Sequence, residues 1–413
     1  MNLLEKIKSK TGIYIHYPWC MQKCSYCDFY SVPAGSPDST EFHQKNSKYL
    51  QTLLSELHIR AETFHKNEVS SVYFGGGTSS LMQPEWIEKI LSEIRKYFQL
   101  SDCEVTLEGN PENFSDDYLK SLSEAGISRV NAGFQSFSEK NLLKLQRFYK
   151  MESYLEAIDA LSRSPVKNWG GDLMYGLPDQ TEEEFYSDLK MLLSYNPVHL
   201  SLYSLTVEEN TALASQILKK KISGPDELLQ QKILLELRNF TKAYGFHQYE
   251  VSNFSLKSYE CFHNLRYWLY LPYLGIGPGA HGFNGRSRYG NPRNIETWLK
   301  HPHDSELISQ DPINEIPLMI LRLTGAISIN YIISLLENHI PQFNRSSHRD
   351  GIESLIKQWT DQGYAEYTNQ TESEIFPQDE NSRFFSWTNL GLQFLDERVL
   401  EFSRLSEKLL ELP

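Results

Sequence analysis

Residues 13–206 alternate short β-like runs with longer amphipathic stretches, and this alternation narrows the possible folds more than any other property of the chain. The strand-like runs are Ile13–Tyr17, Ser71–Phe74, Glu104–Leu107, Arg129–Phe134, Gly171–Met174 and His199–Leu205. Between them, helical patterning covers Phe42–Phe64, Pro84–Phe98, Ser115–Ala125, Glu139–Leu145, Met151–Leu161 and Glu182–Leu193. A strand, a crossover helix and a further strand make a parallel pair. Six such alternations predict an α/β unit with helices outside a parallel sheet, either open or closing as an incomplete (βα)6 barrel. Ligands in such architectures sit at the C-terminal ends of the strands. The unusual residues fall there. The first strand runs into Cys20, the second ends at Gly75-Gly76-Gly77-Thr78, and the third at Glu108-Gly109-Asn110-Pro111. Gln135-Ser136-Phe137 follows the fourth, and the fifth contains Asp172 and ends at Tyr175-Gly176-Leu177-Pro178.

Downstream, Pro225–Tyr244 reads as one long helix, with Asp226 and Glu227 in its first turn and Gly245 past its end. A Gly- and aromatic-rich stretch covers Gln248–Phe283, and His301–Pro312 reads as a linker. From Ile313 the pattern is helix (Leu318–Leu323), helix (Asn330–Leu336), helix (Gly351–Gln362) and a hairpin of Tyr364–Tyr367 with Phe384–Thr388, the order of a small winged-helix unit. The polar Thr371–Ser382 insert is expected to be an exposed loop. The organisation is thus a core domain over 1–215, an extension over 216–305, and a C-terminal winged-helix-like α+β domain over 313–413.

A formal charge of −13 disfavours nucleic acid as a partner, since that affinity comes mainly from Lys and Arg on phosphates. No apolar run reaches membrane-spanning length, so an integral membrane protein is not expected. The first residues lack the apolar core of a secretory signal, and five sparse cysteines fit a reducing compartment, which points to the cytoplasm.

Cys20, Cys24 and Cys27 stand as C-x3-C-x2-C. Three thiolates at this spacing can hold three irons of a cubane [4Fe–4S] cluster and leave the fourth iron open to a small molecule, whereas electron-transfer clusters have four cysteines. Zinc is the alternative, but it wants four closed ligands and no second Cys/His pair follows; His16 lies in a strand-like segment. A disulfide pair is a further alternative, weakened by the odd cysteine count. Gly75–Thr78 offers backbone that a ligand can approach closely, such as a ligand's amino group, although an ordinary tight turn has the same composition. It is no phosphate loop, because no Gly-Lys-Ser/Thr follows. Asp172 and Glu108 can accept ribose hydroxyls, Arg147 can pair with a carboxylate, and Gln135 lies at the same edge. Any one of these four alone is more often a solvated loop residue or a cap. Cys261-Phe262-His263-Asn264-Leu265-Arg266-Tyr267-Trp268 places a histidine among aromatics, which suits haem, although a packed, hydrogen-bonded histidine is the commoner case. Gly275–Gly282 reads as a tight connection lining the pocket.

The cysteine triplet and the Gly-Gly-Gly-Thr turn resemble the radical S-adenosylmethionine superfamily. In that superfamily the open iron is chelated by the amino and carboxylate groups of S-adenosylmethionine, whose cleavage gives a 5′-deoxyadenosyl radical. Tyr14-Ile-His-Tyr-Pro18-Trp19-Cys20, Gly75–Thr78, Gln135–Phe137, Asp172–Pro178, His263-Asn264-x-x-Tyr267-Trp268 and Gly279–Gly282 narrow the resemblance to the coproporphyrinogen III dehydrogenase-like group, over nearly the whole chain. The resemblance implies that Cys20, Cys24 and Cys27 hold the cluster. It also implies that Tyr14, Gly76, Gly77, Thr78, Glu108, Gln135, Arg147 and Asp172 contact S-adenosylmethionine, and that His263 contacts haem. Ser79 stands where Pro is usual and Glu112 where Gly is common, both in turns. Two functions occur in the group. One is the oxygen-independent oxidative decarboxylation of coproporphyrinogen III in porphyrin biosynthesis. The other is a haem chaperone that delivers haem to acceptor proteins, respiratory and membrane-associated ones among the candidates. The decarboxylase carries a further cysteine two residues beyond its third cluster ligand, where this chain has Phe29. It also carries an N-terminal extension, whereas the triplet here begins at residue 20. Both differences favour the chaperone, and no catalytic residue is assigned.

Overall fold

A computed structural model describes residues 2–64, 68–148, 150–341, 343, 345–368, 375–377 and 383–410. Its main sheet contains β1 (Thr11–Tyr17), β2 (Val69–Gly76), β3 (Glu104–Gly109), β4 (Arg129–Gln135), β5 (Asn168–Tyr175), β6 (His199–Ser204), β7 (His247–Gln248), β8 (Asn253–Ser255), β9 (Tyr273–Ile276), β10 (His281–Phe283), β11 (Arg288–Gly290) and β12 (Glu306–Ile308). The strand order is β12-β11-β10-β9-β1-β2-β3-β4-β5-β6-β8-β7. From β9 to β6 all neighbours are parallel, and antiparallel strands extend both edges. The two ends of this order are not paired to each other, so the α/β barrel stays incomplete.

All six expected strands are present. They could be read from sequence because parallel strands under helices are buried on both faces and read as apolar runs; β4, for instance, is buried throughout. The crossover helices include α1 (Thr40–Thr63), α2 (Pro84–Ile94), α3 (Asp116–Glu124), α4 (Met151–Arg163) and α5 (Glu182–Leu193). Their starts follow side-chain chemistry: Ser39 and Ser115 cap α1 and α3, and Thr181 with Glu184 forms a capping box on α5. The main core lies between this sheet and its helices.

Four readings change. The Gly275 stretch is not only a connection, since Tyr273–Ile276 is a seventh parallel strand beside β1 and the turn is confined to 277–280. The expected linker at His301–Pro312 contains β12, and the helix placed at Leu318–Leu323 runs instead over Pro312–Ile320, with Pro312 in its first turn. In the expected exposed insert, Ile375 and Phe376 are buried; the rest of Thr371–Ser382, apart from Pro377, lies outside the described residues.

α6 (Glu227–Lys242) and α7 (Phe262–Trp268) connect the main sheet to the C-terminal helical and sheet domain. There Ile327–Ser328, Phe384–Trp387 and Ala365–Thr368 form a small sheet against the helices Ile329–His339, Arg345–Asp361 and Leu395–Leu410. A second core joins this domain to α7 and to Leu3, Leu4 and Ile7.

Candidate functional site

The three cysteines lie on one loop whose ends are tied together. Trp19–Cys20 pairs with Val32–Pro33, and the amides of Val32 and Ala34 donate to Pro18 O (2.8 Å) and Cys20 O (2.9 Å). All three are half-buried. Burial pushes the Cys20 and Cys27 thiols up, while the Thr78 hydroxyl, 3.2 Å from Cys20 Sγ, pulls the other way, as a donor to a thiolate must. The Arg147 guanidinium lies beside Cys24, and its charge also favours the Cys20 thiolate.

The Gly-Gly-Gly-Thr turn presses against the start of this loop. Gly77 N donates to Tyr17 O at 2.7 Å and Thr78 N to Trp19 O at 2.8 Å. A Cβ on Gly77 would meet Trp19 O at 2.6 Å, so only glycine permits the approach. With both amides engaged, the turn can offer a ligand its carbonyl oxygens, which suits an amino group and not a phosphate.

The remaining expected residues line the C-terminal edge of the sheet. Tyr14 faces Tyr73 across β1 and β2, Glu108 faces Asn131 across β3 and β4, and Asp172 faces Gly133 and Ser201. Tyr73 OH donates to Glu108 Oε1, and Asn131 Nδ2 donates to Asp172 Oδ1 at 2.5 Å. Burial raises both carboxyls, Glu108 to about 7 with Asp172 adding to the effect. Gln135 has a left-handed backbone (φ 68°) at a register shift between β4 and β5, and its Oε1 accepts from Tyr203 OH at 2.5 Å. Arg147 is buried and donates to Gly133 O and to Asn110 Oδ1 (3.0 Å), while its Nε has no partner among the described residues. A guanidinium N–H without a hydrogen-bond partner, near the raised Asp172 carboxyl, can be completed by a ligand that carries a carboxylate and ribose hydroxyls.

His263 sits beneath this edge and does not open onto it. It is fully buried, with Nδ1 2.9 Å from Ser71 Oγ and Nε2 2.8 Å from Tyr267 OH, and it stacks on Tyr73 at 5.0 Å between ring centroids. Both ring nitrogens are committed, so an axial bond to iron requires the ring to give up one of them.

Among the described residues, no three His, Cys, Asp or Glu side chains converge on a single metal ion. A cubane spreads three thiolates over three different irons and so does not call for such convergence; Cys20, Cys24 and Cys27 share one loop and lie near enough to feel one another's charge.

The family model of the radical SAM superfamily matches residues 14–192, which carry the cysteine loop and the strand-end residues just described. Relatives extend the match. The heme chaperone HemW of Escherichia coli is 37% identical over 272 residues, covering 66% of this chain and 69% of that protein. The heme chaperone HemW of Synechocystis is 31% identical over 77% of this chain and 79% of that protein. The chain belongs to the HemW family of radical S-adenosylmethionine proteins. A mitochondrial radical S-adenosyl methionine domain-containing protein 1 from Bos taurus is 30% identical over 96% of this chain and 88% of its own length. Among solved structures, the coproporphyrinogen III oxidase HemN of E. coli superposes with a TM-score of 0.74 over 97% of this chain and 92% of that one, at 20% identity, and so shares the fold.

Within this HemW-family fold, sequence reasoning missed the residues that hold the others in place. Tyr73, Asn131, Asn110 and Tyr203 each bond a candidate ligand-binding side chain. A period-two reading of a strand says which residues share a face, but which hydroxyl meets which carboxyl depends on inter-strand register. Nothing local in the sequence encodes that.

Proposed function

We propose that this protein is a haem chaperone: it binds haem and passes it to acceptor proteins, and it carries a [4Fe–4S] cluster on Cys20, Cys24 and Cys27 with S-adenosylmethionine on the open iron. The observation that carries the choice within the group is Phe29, exposed at the mouth of a cavity beside the cysteine loop, where the decarboxylase has a further cysteine. The names of the HemW relatives support the same reading. When bound, the cluster would supply an electron to the sulfonium of S-adenosylmethionine. The chain's own part is positional. The carbonyl face of Gly76 and Gly77 takes the amino group, Arg147 the carboxylate, Glu108 and Asp172 the ribose hydroxyls, with Tyr14, Thr78 and Gln135 packing around them. Five free cysteines fit a reducing cytoplasm, and no helix among the described residues is long and apolar enough to cross a membrane.

The alternative, oxidative decarboxylation of coproporphyrinogen III, is tested directly. Anaerobically reconstituted protein given coproporphyrinogen III, S-adenosylmethionine and a reductant should yield no protoporphyrinogen, while titration with haem should shift the Soret band. Turnover, or a Soret band unmoved by the protein, overturns the chaperone reading.

A further inference from the structure

A cavity of about 260 Å³ opens beside the cysteine loop at the β9–β1 side of the sheet. Its lining includes Phe29, Tyr30, Tyr267, Tyr273, His281 and Arg293. Three histidines lie at or next to it. His263 has both ring nitrogens bonded, as described above, and so does His16, whose Nδ1 is 3.1 Å from Tyr14 OH and Nε2 2.8 Å from Tyr30 O. His281 differs: it stands at the surface with its ring partly covered, and no hydrogen bond to that ring is found among the described residues. It begins β10 opposite Gly290, and its imidazole lies over that glycine beside the Ile308 side chain.

The backbone under His281 is held firmly. Gly277 N donates to the buried Glu56 at 2.9 Å, and Gly279 N donates to Pro292 O at 3.0 Å. Asn291 N donates to Ala280 O at 2.8 Å, and Asn291 Nδ2 to Gly277 O at the same distance. A single imidazole on a rigid turn, beside aromatic faces and an Arg293 that donates to Asp28 O (2.9 Å) and lies 4.0 Å from its carboxylate, makes a coordination site with an apolar wall and a rim of mixed charge. Partial burial and the neighbouring Arg293 and Arg288 lower the imidazole's pKa, which favours the neutral, ligating form.

We infer that His281 is the residue that ligates the iron of a bound metalloporphyrin, with one edge of the macrocycle against Phe29, Tyr30 and Tyr273 and a propionate paired with Arg293. This rests on the haem-chaperone reading and moves the iron contact from the buried His263 to the exposed His281. His263 then becomes a positioning residue that fixes Tyr267 at the cavity wall. The cavity is smaller than the ~300–1,000 Å³ usual for enclosed ligands, so most of the macrocycle stays exposed, as a cargo that must be handed on requires.

The test uses the full-length protein titrated with ferric haem, followed by Soret and visible absorbance, with melting curves recorded for each variant. His281→Ala should lose the histidine-ligated spectrum and weaken binding by at least the roughly 10–100-fold that losing even an outer partner costs a metal site. Added imidazole should restore that spectrum, and iron-free protoporphyrin should bind wild type and variant alike. His263→Ala should keep the ligated spectrum. If wild type shows a ligated spectrum that His281→Ala leaves unchanged, the assignment is overturned and the chaperone reading stands. The assignment also falls, and the chaperone reading again survives, if His263→Ala alone abolishes the spectrum while melting as wild type does. If wild type itself binds no haem, both fall together.

Discussion

Glu108 is the side chain whose ionisation the site most depends on. Burial holds its carboxyl at about 7 against an ordinary 4.5, so the folded chain keeps a proton that the unfolded chain has released. Between those values the native state binds more protons, and stability falls as pH rises through the window. Glu108→Gln keeps an acceptor for Tyr73 but cannot ionise. Its stability relative to wild type should therefore rise from pH 4.5 to about 7 by up to about 3 kcal/mol, at roughly 1.4 kcal/mol for each pH unit crossed. Urea midpoints at pH 5 and pH 8 measure this, and an equal wild-type-to-variant difference at both would refute it. The same change replaces a carboxylate acceptor with a neutral one. Affinity for S-adenosylmethionine at pH 8 should then fall about tenfold, the scale of a charge-assisted hydrogen bond of roughly 1.5–3 kcal/mol.

At the scale of elements, one arginine fixes α7 to the start of the sheet. Arg266 is fully buried and donates to Lys10 O (3.1 Å), Pro272 O (2.9 Å), Ile7 O (3.0 Å) and Ser70 Oγ. It binds the chain before β1, the turn before β9 and the start of β2 to a single guanidinium. The space it needs is set by Gly12, whose Cβ would stand 2.6 Å from Arg266 Cδ. Arg266→Met leaves these neutral acceptors without their donor and should cost several kcal/mol, at about 1–3 kcal/mol for a buried group left unpaired. Gly12→Ala should also destabilise, and the double variant should be less destabilised than the sum, since both act on one contact. Strict additivity in melting or urea midpoints would count against the contact. This junction also marks the limit of what the sequence conveys. The six parallel strands were legible because burial on both faces leaves a local apolar signature. β9 was not, because Gly275 and Gly277-Pro278-Gly279 give it the composition of a turn, and only pairing with β1 and β10 makes Tyr273–Ile276 a strand. The candidate site residues could be found in sequence because most lie in or just after one of these strands. The commitment of both His263 nitrogens could not, since Ser71 lies 192 residues away.

At the scale of the whole molecule, the C-terminal domain is bonded into the surface that carries the His-Asn-x-x-Tyr-Trp segment. Leu265, Leu269 and Tyr270 of that region share a core with Ile316, Ile320 and Ile333, and the N-terminal Leu3, Leu4 and Ile7 close it. Polar contacts follow the same seam: Arg238 Nη1 donates to Trp387 O at 2.8 Å, Asn389 Nδ2 to Leu235 O at 2.9 Å, and Tyr331 OH to Leu269 O at 2.8 Å. α6 thus packs into the main core and α7 into the second, and α7 supplies Tyr267 to the cavity wall. A chain ending at residue 311 would keep the barrel but expose the apolar side of α7, and an uncovered face of that kind drives association. Such a truncation should bind a hydrophobic dye, lose the single cooperative melt and bind haem more weakly than the full chain, even though Phe29, His281 and Arg293 are all retained. A truncated chain that stays monomeric, melts cooperatively and binds haem with full affinity would show instead that the cavity wall needs no support from the second core. The small domain's role would then lie in what it contacts outside this molecule.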